Sequence, residues 1–235
     1  MLFFQQEVIF MNINFSVLQQ SPLFVGIRQE DIPGLLACLG ASHRKIGKQQ
    51  YIMAEGDPAT QLGILLSGSA SIVNQDILGN RSIVSLVQPG QLFAESFACA
   101  EAQTLPVSVI ANEDVSVLLI DCRRITQSCS NACGFHNQMI YNLLQAVAAR
   151  NLEFHQKLEI TAKRTTRDKL MAYLLSQAKQ AGSKEFTIPY DRQGLADYLG
   201  VERSAMSTEL NRLKKEGWVD FRRNDFHLTA NETSS

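Results

Sequence analysis

The sequence of 235 residues lacks a long apolar run, a marked excess of charge and any of the usual zinc-binding cysteine spacings. A membrane-spanning helix needs about 20 consecutive apolar residues, and no stretch of the chain approaches that length. The formal net charge is −1, which excludes the strongly basic class of histone-like and ribosomal proteins. Any nucleic-acid binding must therefore depend on a local surface.

The N-terminus lacks the basic start of a secretory signal, because no Lys or Arg precedes Arg28. We therefore expect a cytoplasmic protein without a membrane partner. A second methionine, Met11, leaves open which Met is the true start. The cysteines are odd in number, which favours free thiols in a reducing compartment. They are Cys38, Cys99, Cys122, Cys129 and Cys133.

Residues 41–120 contain short apolar and β-branched runs that are separated by turn signals such as GDPA and QPGQ. Runs of about five to seven residues at such spacing indicate an antiparallel sandwich, jelly roll or barrel. The stretch from Phe15 to Gly40 predicts one or two short helices that Gly and Pro interrupt. The fold class is therefore α+β, with an N-terminal antiparallel β-roll or jelly roll over residues 1–128.

From about Ser130 the periodicity changes to alternating spacings of four and three residues, the repeat of a coiled-coil seam. This pattern predicts a long dimerisation helix over residues 129–162, although a single core-facing helix is an alternative because the repeat is short. Asn151 falls at an a position, where a lone polar residue favours one register and two strands. The polar run TAKRTTRDK predicts a break before a further helix. The seam residues are Ile140, Leu144, Val147, Asn151, Phe154 and Leu158.

The C-terminal third carries an excess of basic residues, with 14 Lys+Arg against 11 Asp+Glu in residues 157–235. Within it, the segment from Asp191 to Leu228 predicts two short helices that are joined at Gly200 and followed by two strands around the turn RRND. Asp191 is placed to cap the first helix. A helix-turn-helix with a β-hairpin is a winged helix, which inserts its second helix into the major groove of DNA. We assign this domain to residues 163–235.

Two groups of side chains are candidates for DNA contact. On the second helix, polar residues opposite the Met206, Leu210 and Leu213 stripe are expected to read base edges. Basic residues around the motif are expected to contact phosphates, and each could equally be a solvated surface charge. The base-reading candidates are Arg203, Ser204, Ser207 and Thr208, and the phosphate candidates are Arg192, Lys214, Lys215, Arg222 and Arg223.

Two segments of the chain resemble the Crp/Fnr family of bacterial transcription regulators, and the resemblance covers nearly the whole chain. The segments are YIMAEGDPATQLGILLSGSASIV and RQGLADYLGVERSAMSTELNRLKKEG. It implies a cyclic-nucleotide-binding-type β-roll, a dimer helix and a winged helix. It also implies double-stranded DNA, a second copy of the chain and a small-molecule effector as partners, with RNA polymerase as a further possible one. No catalytic residue, metal or cofactor is expected.

The chain departs from the family where cyclic AMP relatives bind phosphate. They have a Gly-Glu pair and an Arg about ten residues later, whereas Ala94 replaces the Gly and Leu105 falls at the Arg position. Because a buried phosphate needs a cationic partner, cyclic-nucleotide binding is not expected. Glu95, Ser96, Phe97 and Leu105 remain candidate lining of a pocket for another small molecule, or they simply close the barrel.

The second helix of the helix-turn-helix also departs from the family pattern, since Thr208 stands where family members commonly have a second Arg. This difference predicts a different half-site.

The oxygen-sensing relatives hold an iron–sulfur cluster through cysteines near the N-terminus, which this chain lacks. A thiol switch or metal site at Cys129 and Cys133, with Cys122 nearby, is an alternative to buried thiols. An effector-independent regulator, a protein-binding module and a cupin-like enzyme are further alternatives, the last disfavoured because the β-roll offers only His43 as a histidine ligand.

Overall fold

The computed structural model describes residues 15–75, 81–126 and 135–229. Their packing divides them into two compact units. Residues 15–75, 84–126 and 135–151 form the first unit, and residues 81–83 and 152–229 form the second. Within these ranges no helix combines the length and the apolar character that crossing a membrane requires.

The first unit begins with two short helices, as the Gly and Pro punctuation predicts. Helix α1 spans Phe15–Gln20, 3-10 turns follow at Pro22–Phe24 and Gln29–Asp31, and α2 spans Ile32–Cys38. The apolar residues of these elements are buried in one cluster, which also includes one face of the neighbouring sheet.

Two antiparallel four-stranded sheets follow, which confirms the predicted N-terminal β-domain. One sheet has the strand order β1-β8-β3-β6 and the other has the order β2-β7-β4-β5. The strands are β1 Ser42–Ile46, β2 Tyr51–Met53, β3 Gln61–Ser67, β4 Ala70–Gln75, β5 Arg81–Val87, β6 Leu92–Phe93, β7 Ser108–Ala111 and β8 Val115–Asp121.

Strand β3 shows why the first sheet is buried on both faces. Side chains alternate along a strand, so Leu62 and Ile64 join the helical cluster whereas Leu65 joins the cluster between the sheets. Gly63 faces the second cluster, where a Cβ would lie 2.0 Å from the ring of Phe93. The Phe93 ring therefore occupies the space that any side chain at position 63 would need.

Three helices accompany these strands, and the first of them carries the candidate effector region around Glu95, Ser96 and Phe97. Helix α3 spans Glu95–Cys99, α4 spans Cys122–Thr126 and α5 spans Phe135–Thr161. The last is the predicted long helix, and it ends where the polar run predicts a break. Its inner face buries Met139 and Leu143 in the helical cluster of the first unit.

The second unit is a winged helix-turn-helix, which confirms the predicted C-terminal fold. It contains α6 Thr166–Ala181, β9 Glu185–Thr187, α7 Arg192–Leu199, α8 Arg203–Lys215, β10 Val219–Arg222 and β11 Asp225–Leu228. The sequence indicated only two strands, but β9 pairs with β11 and gives a three-stranded sheet of order β10-β11-β9. Phe186 stacks on Phe226 across this additional pairing.

Candidate nucleic-acid interface and effector region

The helix-turn-helix is fixed by a cap and a turn that the sequence predicts. The Asp191 carboxylate accepts a hydrogen bond of 2.7 Å from the backbone N–H of Gly194, which caps α7. Gly200 adopts φ of 61° after the end of α7, a left-handed conformation that glycine takes without steric cost. Helix α8 then starts at Arg203, and its inner face is buried at Met206, Leu210 and Leu213.

The opposite face of α8 presents polar side chains to solvent. Arg203, Ser204 and Thr208 are exposed, Asn211 is exposed one turn further on, and Ser207 is half-buried. The Arg203 side chain forms no hydrogen bond or ion pair with the described residues. The Thr208 hydroxyl donates to the Ser204 carbonyl oxygen at 2.9 Å, which leaves its methyl group and remaining lone pairs available.

Glu202 caps the start of this helix, a role that the sequence did not suggest. Its carboxylate accepts hydrogen bonds from the backbone N–H groups of Ser204 at 2.6 Å and Ala205 at 3.2 Å, and from the Ser204 hydroxyl. The hydroxyl bond and then the two backbone bonds lower the pKa of Glu202. Among the candidate base-reading groups, the Ser204 hydroxyl is therefore already engaged.

Two of the candidate phosphate-binding residues contact the wing, the hairpin of strands β10 and β11. The Arg192 guanidinium lies 4.9 Å from the ring centroid of Phe221 and donates to the Arg223 carbonyl oxygen at 2.9 Å, and burial lowers its pKa. The ammonium group of Lys214 lies 2.6 Å from the carboxylate of Asp220. Both side chains therefore order the wing.

The other three basic candidates are solvent-exposed, like Lys214. Lys215 lies in the last turn of α8, and Arg222 and Arg223 lie at the tip of the β10–β11 hairpin. Arg223 has φ of 54°, as the tight turn between the strands requires. Lys214 is exposed as well, so Lys215, Arg222 and Arg223 are the three exposed candidates that lie outside the contacts described above.

An ion-pair network holds the C-terminal end of α8, and the sequence analysis did not identify it. Arg167 on α6 forms a two-pronged contact with Glu216, which follows α8. The Arg212 Nε donates to the same carboxylate at 3.0 Å. A signal was present in the sequence, since Arg212 and Glu216 stand four residues apart at the end of a predicted helix.

The candidate effector region contains a buried ion pair. Glu95 begins α3 and is 3 % exposed. Its Oε1 lies 3.2 Å from Nε of Arg150 on α5, and Nη2 of Arg150 donates to the Leu92 carbonyl oxygen at 2.9 Å. The sequence did not predict Arg150 as the cation of this region, because it comes from an element 55 positions away from Glu95.

The other candidate pocket residues lie in apolar surroundings. Leu105 is 2 % exposed within the cluster between the sheets, and Phe97 packs against the same cluster. Ser96 is half-buried, and Ala94 adopts a left-handed φ of 61°. A leucine at position 105 thus fills the site with apolar volume where cyclic AMP relatives are expected to hold an arginine.

The predicted seam of α5 is largely exposed. Leu144 and Leu158 are 63 % and 65 % exposed, and Ile140 and Phe154 are also exposed large apolar residues. Asn151 lies at the surface in the same row, whereas Val147 packs partly against the helical cluster. A stripe of apolar side chains therefore faces solvent along the long helix.

The described residues include three of the cysteines, Cys38, Cys99 and Cys122, and all three are free thiols. Cys129 and Cys133 lie outside the described residues. Cys122 has its sulfur 3.2 Å from that of Cys99. The described ranges contain no group of three or more His, Cys, Asp or Glu side chains that could hold a metal ion.

Two family models match the chain. The model for the cyclic nucleotide-binding domain matches residues 43–131, and the model for the Crp-like helix-turn-helix domain matches residues 168–231. The first match covers the two four-stranded sheets and the candidate effector region, and the second covers α7, α8 and the wing.

Similar proteins are transcription regulators. The Cyclic AMP receptor protein of Thermus thermophilus is 25% identical over 209 residues, 86% of this chain and 89% of the relative. The Transcriptional activator protein anr of Pseudomonas aeruginosa is 20% identical over 190 residues, 79% of this chain and 75% of the relative. The solved structure of the c-di-GMP responsive regulator CLP of Xanthomonas campestris shares the fold with a TM-score of 0.68 at 20% identity, over 87% of this chain and 100% of that chain.

Proposed function

Since the chain belongs to the Crp/Fnr family of transcription regulators, we propose that it acts as a homodimer on a palindromic DNA operator. The observation that carries this proposal is the two-sided character of α8. One face is buried on the Met206, Leu210 and Leu213 stripe, and the other presents exposed polar side chains. A helix of this kind in a winged helix enters the major groove.

Arg203 is the principal base-reading residue in this proposal. It is exposed on the first turn of α8, and its guanidinium forms no hydrogen bond or ion pair with the described residues. An arginine can contact O6 and N7 of guanine with two hydrogen bonds, which contributes about 1–3 kcal/mol of discrimination. Thr208 lies on the same face and offers a methyl group for contact with thymine. The half-site therefore combines a guanine with a neighbouring A·T pair.

Phosphate contacts come from the exposed cations of the second unit. Lys215, Arg222 and Arg223 are exposed at the end of α8 and at the hairpin tip. Phosphate contacts position a domain on DNA without reading its sequence. Arg192 and Lys214 support these contacts indirectly, because they order the wing that carries Arg222 and Arg223.

The exposed seam of α5 supports dimerisation. Leu144 and Leu158 are apolar and more than half exposed, and they recur at the spacing of a coiled-coil seam. A second copy of the helix would bury this stripe. A two-fold dimer presents two copies of α8 to successive major grooves, so the operator is an inverted repeat with half-sites about 34 Å apart.

The first unit is proposed to sense a small molecule other than cyclic AMP. A cyclic phosphate at Leu105 would face the apolar cluster without a cation. The cation found in this region, Arg150, is paired with Glu95 and with the Leu92 carbonyl oxygen. Binding of a phosphate would have to displace that buried pair, and an unpaired buried carboxylate costs several kcal/mol.

Selection of bound duplexes from a random pool by the full-length protein tests the proposal. The expected result is enrichment of an inverted repeat with half-sites about 10 base pairs apart. The Arg203→Ala variant, selected in parallel, should lose enrichment at one position of each half-site. Enrichment of no palindrome by the folded wild-type protein would contradict the proposal.

Salt dependence separates DNA binding from protein binding by the same winged helix. Neutralised phosphates release counterions, so log affinity should fall linearly with log salt by about 0.9 for each phosphate contacted. Three exposed cations in each of two subunits predict a slope of roughly −5 for the dimer. A flat response would support the protein-binding alternative.

A further inference from the structure

Cys99 and Cys122 form a thiol pair in the first unit that none of the roles above uses. Cys99 is the last residue of α3, and Cys122 is the first residue of α4, directly after β8. Their sulfur atoms lie 3.2 Å apart, although the residues are 23 positions apart in the sequence. Since a disulfide bond is about 2.05 Å long, a relative movement of roughly 1 Å would join them.

The two thiols differ in their access to solvent. Cys99 is exposed, whereas Cys122 is 3 % exposed within the apolar cluster of the first unit. An oxidant in solution can therefore reach the Cys99 sulfur first. Cys122 is placed beside Cys99 but away from solvent, which is the arrangement of a resolving cysteine next to a reactive one.

The contact between the sulfurs also favours reaction at Cys99. A hydrogen bond from the Cys122 thiol lowers the pKa of Cys99, while burial and the nearby Glu95 act in the opposite direction. The same contact and burial raise the pKa of Cys122. Because the thiolate is the nucleophile, Cys99 is the reactive partner.

We propose that Cys99 and Cys122 form a reversible intramolecular disulfide when the protein meets hydrogen peroxide. The Cys99 sulfur attacks one peroxide oxygen and breaks the O–O bond, which yields a sulfenic acid at Cys99 and one water molecule. The Cys122 sulfur then attacks the Cys99 sulfur and displaces the hydroxyl group, which leaves with the Cys122 proton as a second water. The two thiols lose two electrons and two protons, and a dithiol reductant reverses the change.

The disulfide would join two elements that flank the candidate effector region. Helix α3 carries Glu95 at its start and Cys99 at its end. Glu95 pairs with Arg150 on α5, so the covalent link would fix the short helix on which this ion pair depends. The site differs from the Cys129 and Cys133 pair, which lies outside the described residues.

Peptide mapping of the full-length protein tests the disulfide directly. The protein is treated with one equivalent of hydrogen peroxide, its remaining thiols are alkylated, and it is digested without reduction. The expected main product is a cross-linked peptide pair containing Cys99 and Cys122, lighter than the two free peptides by two hydrogen atoms. Dithiothreitol should abolish it.

Single variants identify the role of each thiol. Cys122→Ala should leave a sulfenic acid at Cys99 that dimedone traps, and Cys99→Ser should slow oxidation of Cys122 at least tenfold. Cys38→Ser is the matched control, because Cys38 is exposed and has no sulfur neighbour among the described residues, and it should leave the cross-link unchanged.

The mapping on wild-type protein decides the proposal even if a variant fails to fold. Oxidation of Cys99 to a sulfinic acid without the cross-link would overturn it, as would a main disulfide that involves any other cysteine. The readout is independent of DNA, so failure of the proposed regulator function would leave the disulfide result intact.

Discussion

The Nε atom of Arg150 lies 3.2 Å from Oε1 of Glu95, and this ion pair joins α5 to the start of α3. The side chains are 13% and 4% exposed, so water solvates neither charge well. Removing one partner of a buried pair leaves the other charge uncompensated, which typically destabilises a protein by about 3–5 kcal/mol.

Arg150→Met should therefore lower the free energy of unfolding of the first unit by about 3–5 kcal/mol, measured by urea denaturation. The Arg150→Met/Glu95→Gln double variant should recover part of this loss, because it removes the uncompensated carboxylate. Arg123→Ala is the control. Its pair with Asp121 is exposed at 3.8 Å, so the expected change is below about 1 kcal/mol. Equal effects of the two arginines would contradict this account.

Arg203→Ala should weaken binding to the selected operator about 10- to 100-fold and binding to random duplex far less, because base contacts carry the discrimination. Lys215→Ala should weaken both by a similar factor, since a phosphate contact does not read sequence. Fluorescence anisotropy at fixed salt measures both ratios. An equal loss for operator and random DNA in Arg203→Ala would make Arg203 a backbone contact.

Leu144→Asp should shift the protein from dimer to monomer in sedimentation equilibrium, because a carboxylate at the seam would be buried in the interface. Leu152→Asp is the matched control. Leu152 lies on the same helix and is 71% exposed, compared with 63% for Leu144, but it is one position off the seam repeat. The dimer dissociation constant should rise at least 100-fold in the first variant and little in the second. Identical behaviour would contradict the assigned seam.

The stability of the second unit should rise by about 2 kcal/mol between pH 8 and pH 10, because of Lys157. Burial lowers the pKa of Lys157 to about 8, compared with 10.5 for an unperturbed lysine. Between these values the unfolded chain binds the proton and the folded chain does not, so raising the pH favours folding. Above pH 10 the raised pKa values of Tyr190 and Tyr198 oppose this trend, since the unfolded chain then loses protons first.

Urea denaturation followed by the fluorescence of Trp218 measures this pH dependence. Trp218 is the only tryptophan of the chain and lies in the second unit. Lys157→Met should remove the rise between pH 8 and pH 10 and increase stability at pH 7. A rise that persists in this variant would assign the effect to another group.

The winged helix was predictable because its determinants are local in sequence. Asp191 caps the helix that starts beside it, Gly200 makes the turn that follows, and the stripe from Met206 to Leu213 lies on one helix. The long helix was predictable for the same reason. Its apolar repeat and the polar run that ends it both lie within one continuous segment of the sequence.

The contacts that the sequence did not reveal join distant residues. Glu95 and Arg150 are 55 positions apart, and Cys99 meets Cys122 only because β8 returns the chain beside α3. Strand β9 is three residues long, too short for a period-two pattern to be recognised. The cap at Glu202 was not predicted, because the direction of its side chain depends on the backbone geometry of the turn before α8.

The Glu202 cap has a consequence for how the protein tells DNA from other polyanions. Free N–H groups at a helix start attract phosphate and sulfate groups of any polymer. In α8 the N–H groups of Ser204 and Ala205 already donate to a carboxylate, which repels such groups. We therefore expect the start of α8 to contribute little to the binding of heparin or RNA, because two of its N–H groups are already paired with the Glu202 carboxylate.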